Sequence, residues 1–173
     1  MQALAFWKAV AHDQSNFLER LIALLADHKI RYCVIGGQGV NAYAEPLVSL
    51  DLDLVVAADQ LGEVERLLAE QFQVESFPHS LNAAAAGSQI RVQIQTDSRY
   101  FEFPNRASVR EVLGLEMPVA PVEDVLDGKV WAALDSERGA SKRHKDLLDI
   151  ERLIEAHPRL RGRVPAEILA RFS

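Results

Sequence analysis

The segment from 34 to 54 combines an apolar strand, the double glycine Gly36-Gly37 and a second strand that carries Asp51 and Asp53. Residues two apart in a strand share a face, so the two carboxylates project side by side, with Cα atoms roughly 7 Å apart. Like charges so close repel one another unless a cation lies between them. Mg²⁺ is such a cation, held by carboxylates and substrate phosphates, and glycines let backbone N–H groups approach phosphates. The segment therefore predicts a metal and phosphate site.

The composition predicts one cytoplasmic globular domain without a membrane span. The 173 residues are 49% hydrophobic and 25% charged, which is typical of a chain with a full apolar core. No run of about eighteen apolar residues occurs, and the first ten residues lack the order of a signal peptide. The single cysteine, Cys33, lies in an apolar strand and predicts a buried thiol in a reducing compartment. The net charge of −6 argues against broad nucleic-acid binding, although residues 142–145 form a local basic patch.

Periodicity predicts an α/β (α+β) fold, a small mixed sheet flanked by helices and followed by a helical C-terminal part. Apolar residues at helical spacing predict helices at 15–28, 61–72, 121–136, 141–156 and 165–172. Strands are predicted at 31–35, 50–56, 74–77, 88–96 and 117–120. Short helices are predicted directly after Gly36-Gly37 and at 107–113, with Asp59 as the N-cap of the helix at 61–72. We expect residues 1–120 to form the core and 121–173 a helical extension packed on it as one compact unit.

Other interpretations of the same residues remain. Gly37, Gly39 and Ala42 match the relaxed dinucleotide-binding pattern G-x-G-x-x-A, but that site needs its acid at the far end of the next strand. A P-loop is excluded because no Gly-Lys-Ser/Thr follows the glycines. The five histidines lack the i, i+4 spacing of a helical zinc site, and no G-x-S-x-G elbow occurs. Asp51 and Asp53 are also compatible with a strand whose polar face simply meets solvent.

Two blocks resemble the nucleotidyltransferase superfamily. The first, Gly36-Gly37 followed by Asp51-x-Asp53, is similar to the signature h-G-[G/S]-x(9–13)-D-h-[D/E]. The second runs from Val122-Glu123-Asp124 through Lys129 to Lys145-Asp146-Leu147-x-Asp149 and resembles the helical block of small bacterial AbiEii/AbiGii-toxin-type nucleotidyltransferases. Together the blocks span residues 34–154, about two thirds of the chain.

The resemblance implies Mg²⁺-dependent transfer of a nucleoside monophosphate from an NTP to an RNA or protein acceptor, in a toxin–antitoxin or phage-defence system with a cognate antitoxin. It implies metal binding by Asp51 and Asp53 and catalytic roles for Asp51, Asp53, Lys129 and Asp146. The residues implied in nucleotide binding are Gly36, Gly37, Gln38, Ser49, Arg91 and Lys145. Asp146 and Asp149 lie on one helical face, and a solvated, salt-bridged face is the alternative interpretation of that pair.

The chain departs from the family pattern at two places. Many relatives have Arg-x-Thr-x-Asp-x-Asp, where this chain has Leu47 and Ser49. Active members also carry a third carboxylate on the next strand, and the matching position here is Gln93 or Gln95. Glutamine cannot ionise, so it binds a metal weakly and accepts no proton. Arg91, on the same face, is expected to contact phosphate or to pair with Asp51 or Asp53. A degenerate nucleotide- or partner-binding module is therefore the alternative to an enzyme.

Overall fold

The computed structural model describes residues 3–172, which form a seven-stranded mixed sheet with helices on both faces. The helices are α1 Ala3–Val10, α2 Phe17–Asp27, α3 Gly36–Asn41, α4 Leu61–Gln71, α5 Phe103–Arg106, α6 Val122–Leu134, α7 Ala140–Ala156 and α8 Ala166–Leu169. The strands are β1 Tyr32–Ile35, β2 Asp51–Val56, β3 Gln73–Phe77, β4 Ser80–Ala84, β5 Arg91–Gln95, β6 Ser108–Val112 and β7 Leu115–Val119. Short 3₁₀ segments lie at Ala58–Gln60, Ser98–Tyr100, Pro158–Arg163 and Ala170–Phe172. This architecture confirms the predicted α/β class.

The sheet has the strand order β3-β4-β5-β2-β1-β7-β6. Strand β2 lies at its centre, antiparallel to β1 and parallel to β5. Its register places Ile35 beside Asp53 on one side and Gln93 beside Asp53 on the other. The turn that follows β1, the two aspartates and the glutamine-bearing strand therefore meet at one place in the sheet.

Alternation along β2 decides which face of the sheet carries the aspartates. Leu52, Leu54 and Val56 are buried in an apolar core shared with α2 and α4. Val55 points to the opposite face, into a second core built with α6 and α7. Asp51 and Asp53 share the face of Val55 because side chains alternate along a strand. The C-terminal helices thus pack over the face that carries the carboxylates. The division at residue 120 stays a prediction.

The segment predicted as a helix at 107–113 is instead the edge strand β6. Leu113 and Gly114 both have positive φ, 54° and 84°, and this turn folds the chain back so that β6 pairs antiparallel with β7. A turn of this kind joins adjacent antiparallel strands and cannot continue a helix. The glycine that was expected to end a helix therefore closes a hairpin.

Other elements also differ from the sequence prediction. Asp59 does not cap α4; it lies in the 3₁₀ segment before that helix and pairs with Arg31, while Gln60 occupies the N-cap. Strand β4 and helix α1 were not predicted at all. No helix in the described part of the chain is long and apolar enough to cross a membrane.

Candidate active site

Gly36 joins β1 to α3 and makes room for the carboxylate of Asp53. Its φ is +66°, a left-handed conformation that side chains other than glycine rarely adopt. A Cβ atom built there would lie 2.1 Å from Oδ2 of Asp53 and 2.9 Å from its Cβ and Cγ. A Cβ at Gly37 would instead have Oγ of Ser49 as its nearest neighbour, at 3.9 Å, which is ordinary contact. The first glycine is therefore required by the site, and the second has space for a methyl group.

Asp51 and Asp53 lie on one face of β2 but in different surroundings. Asp51 is half exposed and pairs with Arg91, whose Nε is 2.8 Å from Oδ1; this confirms that Arg91 faces the aspartates. Asp53 is partly buried and lines a cavity between the sheet and α6. Burial raises the pKa of Asp53 to about 6; the nearby Lys129 opposes this rise and Asp51 adds to it. Ionisation of Asp53 therefore destabilises the folded chain.

Asp53→Asn is expected to stabilise the metal-free protein at high pH. The pKa of Asp53 is higher in the folded state than in the unfolded state. The parent protein therefore has this contribution to its stability in full below pH 4 and loses it as the pH rises through about 6. At pH 8 the variant should be about 2 kcal/mol more stable than the parent in urea denaturation, and at pH 4 the difference should vanish. Asp51→Asn is the matched control, because its half-exposed ion pair contributes less than about 1 kcal/mol. Equal effects of the two variants at pH 8 would contradict this assignment.

The cavity brings together part of the predicted site. It is lined by Gly36, Asp53, Gln93, Gln95, Lys129 and Asp146 among the predicted residues. Gln38 belongs to α3 and is buried, and its Nε2 donates to the carbonyl of Ser49 at 3.0 Å. Oγ of Ser49 accepts from the backbone N–H of Asp51 at 3.2 Å. Lys145 is exposed on α7, outside the lining. Nucleotide binding by these last three residues stays a prediction.

The two glutamines of β5 occupy different positions relative to the carboxylates. Gln93 lies directly beside Asp53 in the parallel register, and Gln95 lies beside Val55. Oε1 of Gln95 accepts from the backbone N–H groups of Thr96, at 3.1 Å, and Asp97, at 3.2 Å. Gln93 therefore lies next to Asp53, one of the two predicted metal ligands. Gln95 faces the cavity farther along the strand.

A buried ionic network forms the opposite wall of the cavity. Nζ of Lys129, on α6, contacts Oδ1 of Asp146 at 3.1 Å and Oδ2 of Asp149 at 2.9 Å, both on α7. Burial alone would lower the pKa of Lys129, but the two carboxylates outweigh it and raise the pKa above its ordinary value. Arg138 donates to both oxygens of Asp146, and Arg152 pairs with Asp149 at 2.8 Å. Asp146 and Asp149 are buried, so the alternative interpretation of this pair as part of a solvated, salt-bridged face is wrong.

Six cavity residues were not named as site residues from the sequence: Ile35, Tyr100, Val125, Gly128, Ala132 and Arg138. Arg138 lies in the loop between α6 and α7, and Nη2 of Arg143 holds that loop by donating to the carbonyls of Asp135 and Arg138 at 3.0 and 3.1 Å. The sequence shows Arg138 only as a basic residue between two predicted helices. That position does not indicate that Asp146 is its partner.

The carboxylate pair fits a magnesium ion that is shared with a substrate. Within residues 3–172, no group of three His, Cys, Asp or Glu side chains has metal-binding geometry. Mg²⁺ needs no such cage, since it is commonly bound by one or two carboxylates together with phosphates and water. Asp51 and Asp53 supply two carboxylates on one strand face, and the absence of a side chain at Gly36 leaves room for the carboxylate of Asp53.

The sheet and the position of the carboxylates define the nucleotidyltransferase fold. The structure of ANT(2'')-Ia in complex with adenylyl-2''-tobramycin is similar, with a TM-score of 0.62 and 14% identity over 92% of this chain and 99% of that chain. The lincomycin-bound lincosamide antibiotic adenylyltransferase LnuA has a TM-score of 0.54 and 14% identity over 82% of this chain and 99% of that chain. An antigenic nucleotidyltransferase-like protein from Paracoccidioides brasiliensis has a TM-score of 0.50 and 19% identity over 82% and 77%. At these identities the likeness concerns the fold alone.

The family follows from the sequence itself. The profile of the family described as nucleotidyl transferase AbiEii toxin, type IV TA system, matches residues 48–172. The chain therefore belongs to the AbiEii nucleotidyl transferase family, which confirms the predicted family and makes the protein a transferase enzyme. No curated protein matches the chain by sequence.

Proposed function

We propose that the protein transfers a nucleoside monophosphate from an NTP to a hydroxyl of an RNA or protein acceptor in a Mg²⁺-dependent reaction. The observation that carries the proposal is the placement of Asp53 against Gly36, at a turn where any Cβ would collide with the carboxylate. A protein that used Asp53 only as a solvated polar residue would not need that turn. Asp51, two residues away on the same face, completes the pair.

Each group has a proposed task. Asp51 and Asp53 would hold Mg²⁺, which neutralises phosphate charge and aligns the attacking and leaving oxygens. Arg91 is then free to leave Asp51 and contact a phosphate, because an exposed ion pair is weak. Lys129 supplies a point charge for phosphate oxygens. Asp146 contacts Lys129 through Oδ1 and Arg138 through both oxygens, so we assign it the positioning of those cations.

The biological context of the proposal comes from the family. A type IV toxin–antitoxin system implies a cognate antitoxin and a cytoplasmic target. Two of the structural relatives named above are bound to lincomycin and to adenylyl-2''-tobramycin, whereas a toxin acts on a component of its own cell. RNA and protein are therefore the acceptors to test.

The test is label transfer from each α-³²P-NTP to total RNA or to cell protein, with Mg²⁺ present. Asp51→Asn and Asp53→Asn are each expected to lower transfer by about 100-fold or more, since each removes a charge that holds the metal. Asp59→Asn serves as the control, because Asp59 is an exposed acid on the same chain, away from the cavity. Transfer that survives in both site variants would refute the metal–carboxylate mechanism.

A binding module without turnover is the second candidate, and Gln93 favours it. The amide lies beside Asp53, where a third carboxylate would act as metal ligand and base. Saturable NTP binding without transfer to either acceptor would support this candidate. Restoring a carboxylate with Gln93→Glu then separates the two functions, because a degenerate enzyme should gain transfer activity.

A further inference from the structure

Arg152, on α7, is a mostly buried cation to which the proposed reaction gives no task. Only 13% of its side chain is exposed, and it lies outside the lining of the cavity. A buried charge is costly unless it is paired and hydrogen-bonded, and the planar fork of a guanidinium suits several acceptors at once. The contacts of Arg152 therefore indicate what it holds in place.

One side of the guanidinium is fixed by the segment that leads into β2. Nη2 of Arg152 donates to Oδ1 of Asn41 at 2.9 Å and to the carbonyl of Glu45. Asn41 in turn pairs with the backbone of Leu47, whose N–H donates to Oδ1 at 3.0 Å and whose carbonyl accepts from Nδ2 at 2.7 Å. The guanidinium is therefore anchored on a segment whose own backbone is held in place.

The other side of the guanidinium fixes a carboxylate that Lys129 shares. Nη1 of Arg152 donates to Oδ1 of Asp149 at 2.8 Å, and Nζ of Lys129 contacts the other oxygen, Oδ2, at 2.9 Å. Because each cation takes one oxygen, Arg152 sets the direction from which Asp149 meets the lysine. Lys129 lines the cavity. The contacts thus run from the segment before β2, through Arg152 and Asp149, to a cation of the site.

Removal of this contact would leave the carboxylate of Asp149 free to turn. Lys129 would then be its one remaining cation among the contacts described above, and could meet either oxygen or both. A lysine follows such a change easily, because its stem is flexible and its ammonium donors rotate. Misplacement of a reacting or charge-stabilising group by about 1 Å costs roughly 100-fold in rate.

We propose that Arg152 is a positioning residue that acts through Asp149 and holds the ammonium group of Lys129 where it meets the phosphates in the transition state. The inference rests on the proposed transfer and on the task proposed there for Lys129. Arg152 contacts no substrate in this arrangement, so it should affect the rate of transfer and leave NTP binding almost unchanged. A purely structural arginine would affect stability alone.

The test compares Arg152→Lys and Arg152→Met with the parent by label transfer to total RNA or cell protein over a range of NTP concentrations. Lysine keeps the charge, but its ammonium group is a single point that does not bridge Asp149 and the anchoring oxygens as the fork does. We expect kcat to fall about tenfold in Arg152→Lys and further in Arg152→Met, with the KM for NTP within about threefold of the parent. Each rate is divided by the folded fraction, measured by circular dichroism.

The same substitutions in a Lys129→Met background separate positioning from a general effect on the fold. If Arg152 acts through Lys129, Arg152→Lys should change kcat there by less than about twofold, because the group that it positions is gone. Arg159→Lys is the matched control, since Arg159 pairs with Glu123 at an exposed site outside the cavity lining. Its kcat should equal that of the parent.

Equal losses of kcat in the two backgrounds would overturn the positioning role and leave the proposed transfer standing. An unchanged kcat in both Arg152 variants, a rise in KM alone, or an equal loss in Arg159→Lys would do the same. A parental kcat in Lys129→Met would remove the lysine from the reaction, and the positioning role with it. Absence of label transfer by the parent would overturn the proposed transfer together with this inference.

Discussion

Replacing Gly36 by alanine is expected to lower nucleotidyl transfer by about 100-fold or more and to destabilise the fold. The new Cβ would lie 2.1 Å from Oδ2 of Asp53, so either the carboxylate or the turn must move. Displacement of a reacting group by about 1 Å costs roughly 100-fold in rate. The strained backbone conformation and the overpacking together cost about 2–5 kcal/mol. Urea denaturation and label transfer measure the two effects on one preparation.

Gly37→Ala is the control for that stability effect. Gly37 has no left-handed φ, and the nearest atom to a Cβ at this position is 3.9 Å away. Its free energy of unfolding should stay within about 1 kcal/mol of the parent. Equal destabilisation by the two substitutions would show that both glycines are needed for the formation of α3. It would also show that Gly36 has no special relation to Asp53.

The glycine turn and the aspartate strand were predictable because their signals are local. A double glycine after an apolar strand marks a turn, and two aspartates at alternate positions share a face whatever the rest of the chain does. Cys33 was also predicted as buried, and it is. These inferences need only the geometry of one strand and one turn, and the structure adds which face of the sheet they use.

Elements held by their neighbours were not predictable in this way. Strand β4 contains Asn82, Ala83 and Ala84, residues that are depleted in strands, and it forms because β3 and β5 pair with it on both sides. Edge strand β6 lacks clear alternation and depends on the turn at Leu113 and Gly114. Tertiary pairing overrides weak local preference in both cases.

The ionic network was visible in the sequence only as a set of charges. Lys129 and Asp146 were singled out because of the family pattern, but their contact joins α6 to α7 over seventeen positions. Arg138 had no motif to mark it, and its partner is set by the loop that Arg143 holds. The charged residues of this network could be identified from the sequence. Their pairing and burial depend on how the two helices pack.

The network predicts unequal effects for its members, the largest being the effect of Asp146→Ala on stability. That change leaves Lys129 and Arg138 without the carboxylate that both contact, and removing one partner from a buried ion pair costs about 3–5 kcal/mol. Lys129→Met should cost only about 1–2 kcal/mol, because Asp146 keeps Arg138 and Asp149 keeps Arg152. Lys129→Met should nevertheless lose about 100-fold or more in transfer, since its charge is the one proposed to meet the phosphates.

Urea denaturation of the single and double variants, beside label transfer, checks this asymmetry. In the Lys129→Met background, Asp146→Ala should cost less than in the parent, because Arg138 is then the one cation that loses its partner. If Lys129→Met unfolds the chain as readily as Asp146→Ala does, Lys129 is a structural ion and its catalytic assignment fails. If instead it folds and transfers at the parental rate, the phosphates are neutralised without it. A stable, inactive Lys129→Met beside an unstable Asp146→Ala is the one result that assigns contact with substrate to the lysine and positioning to the aspartate.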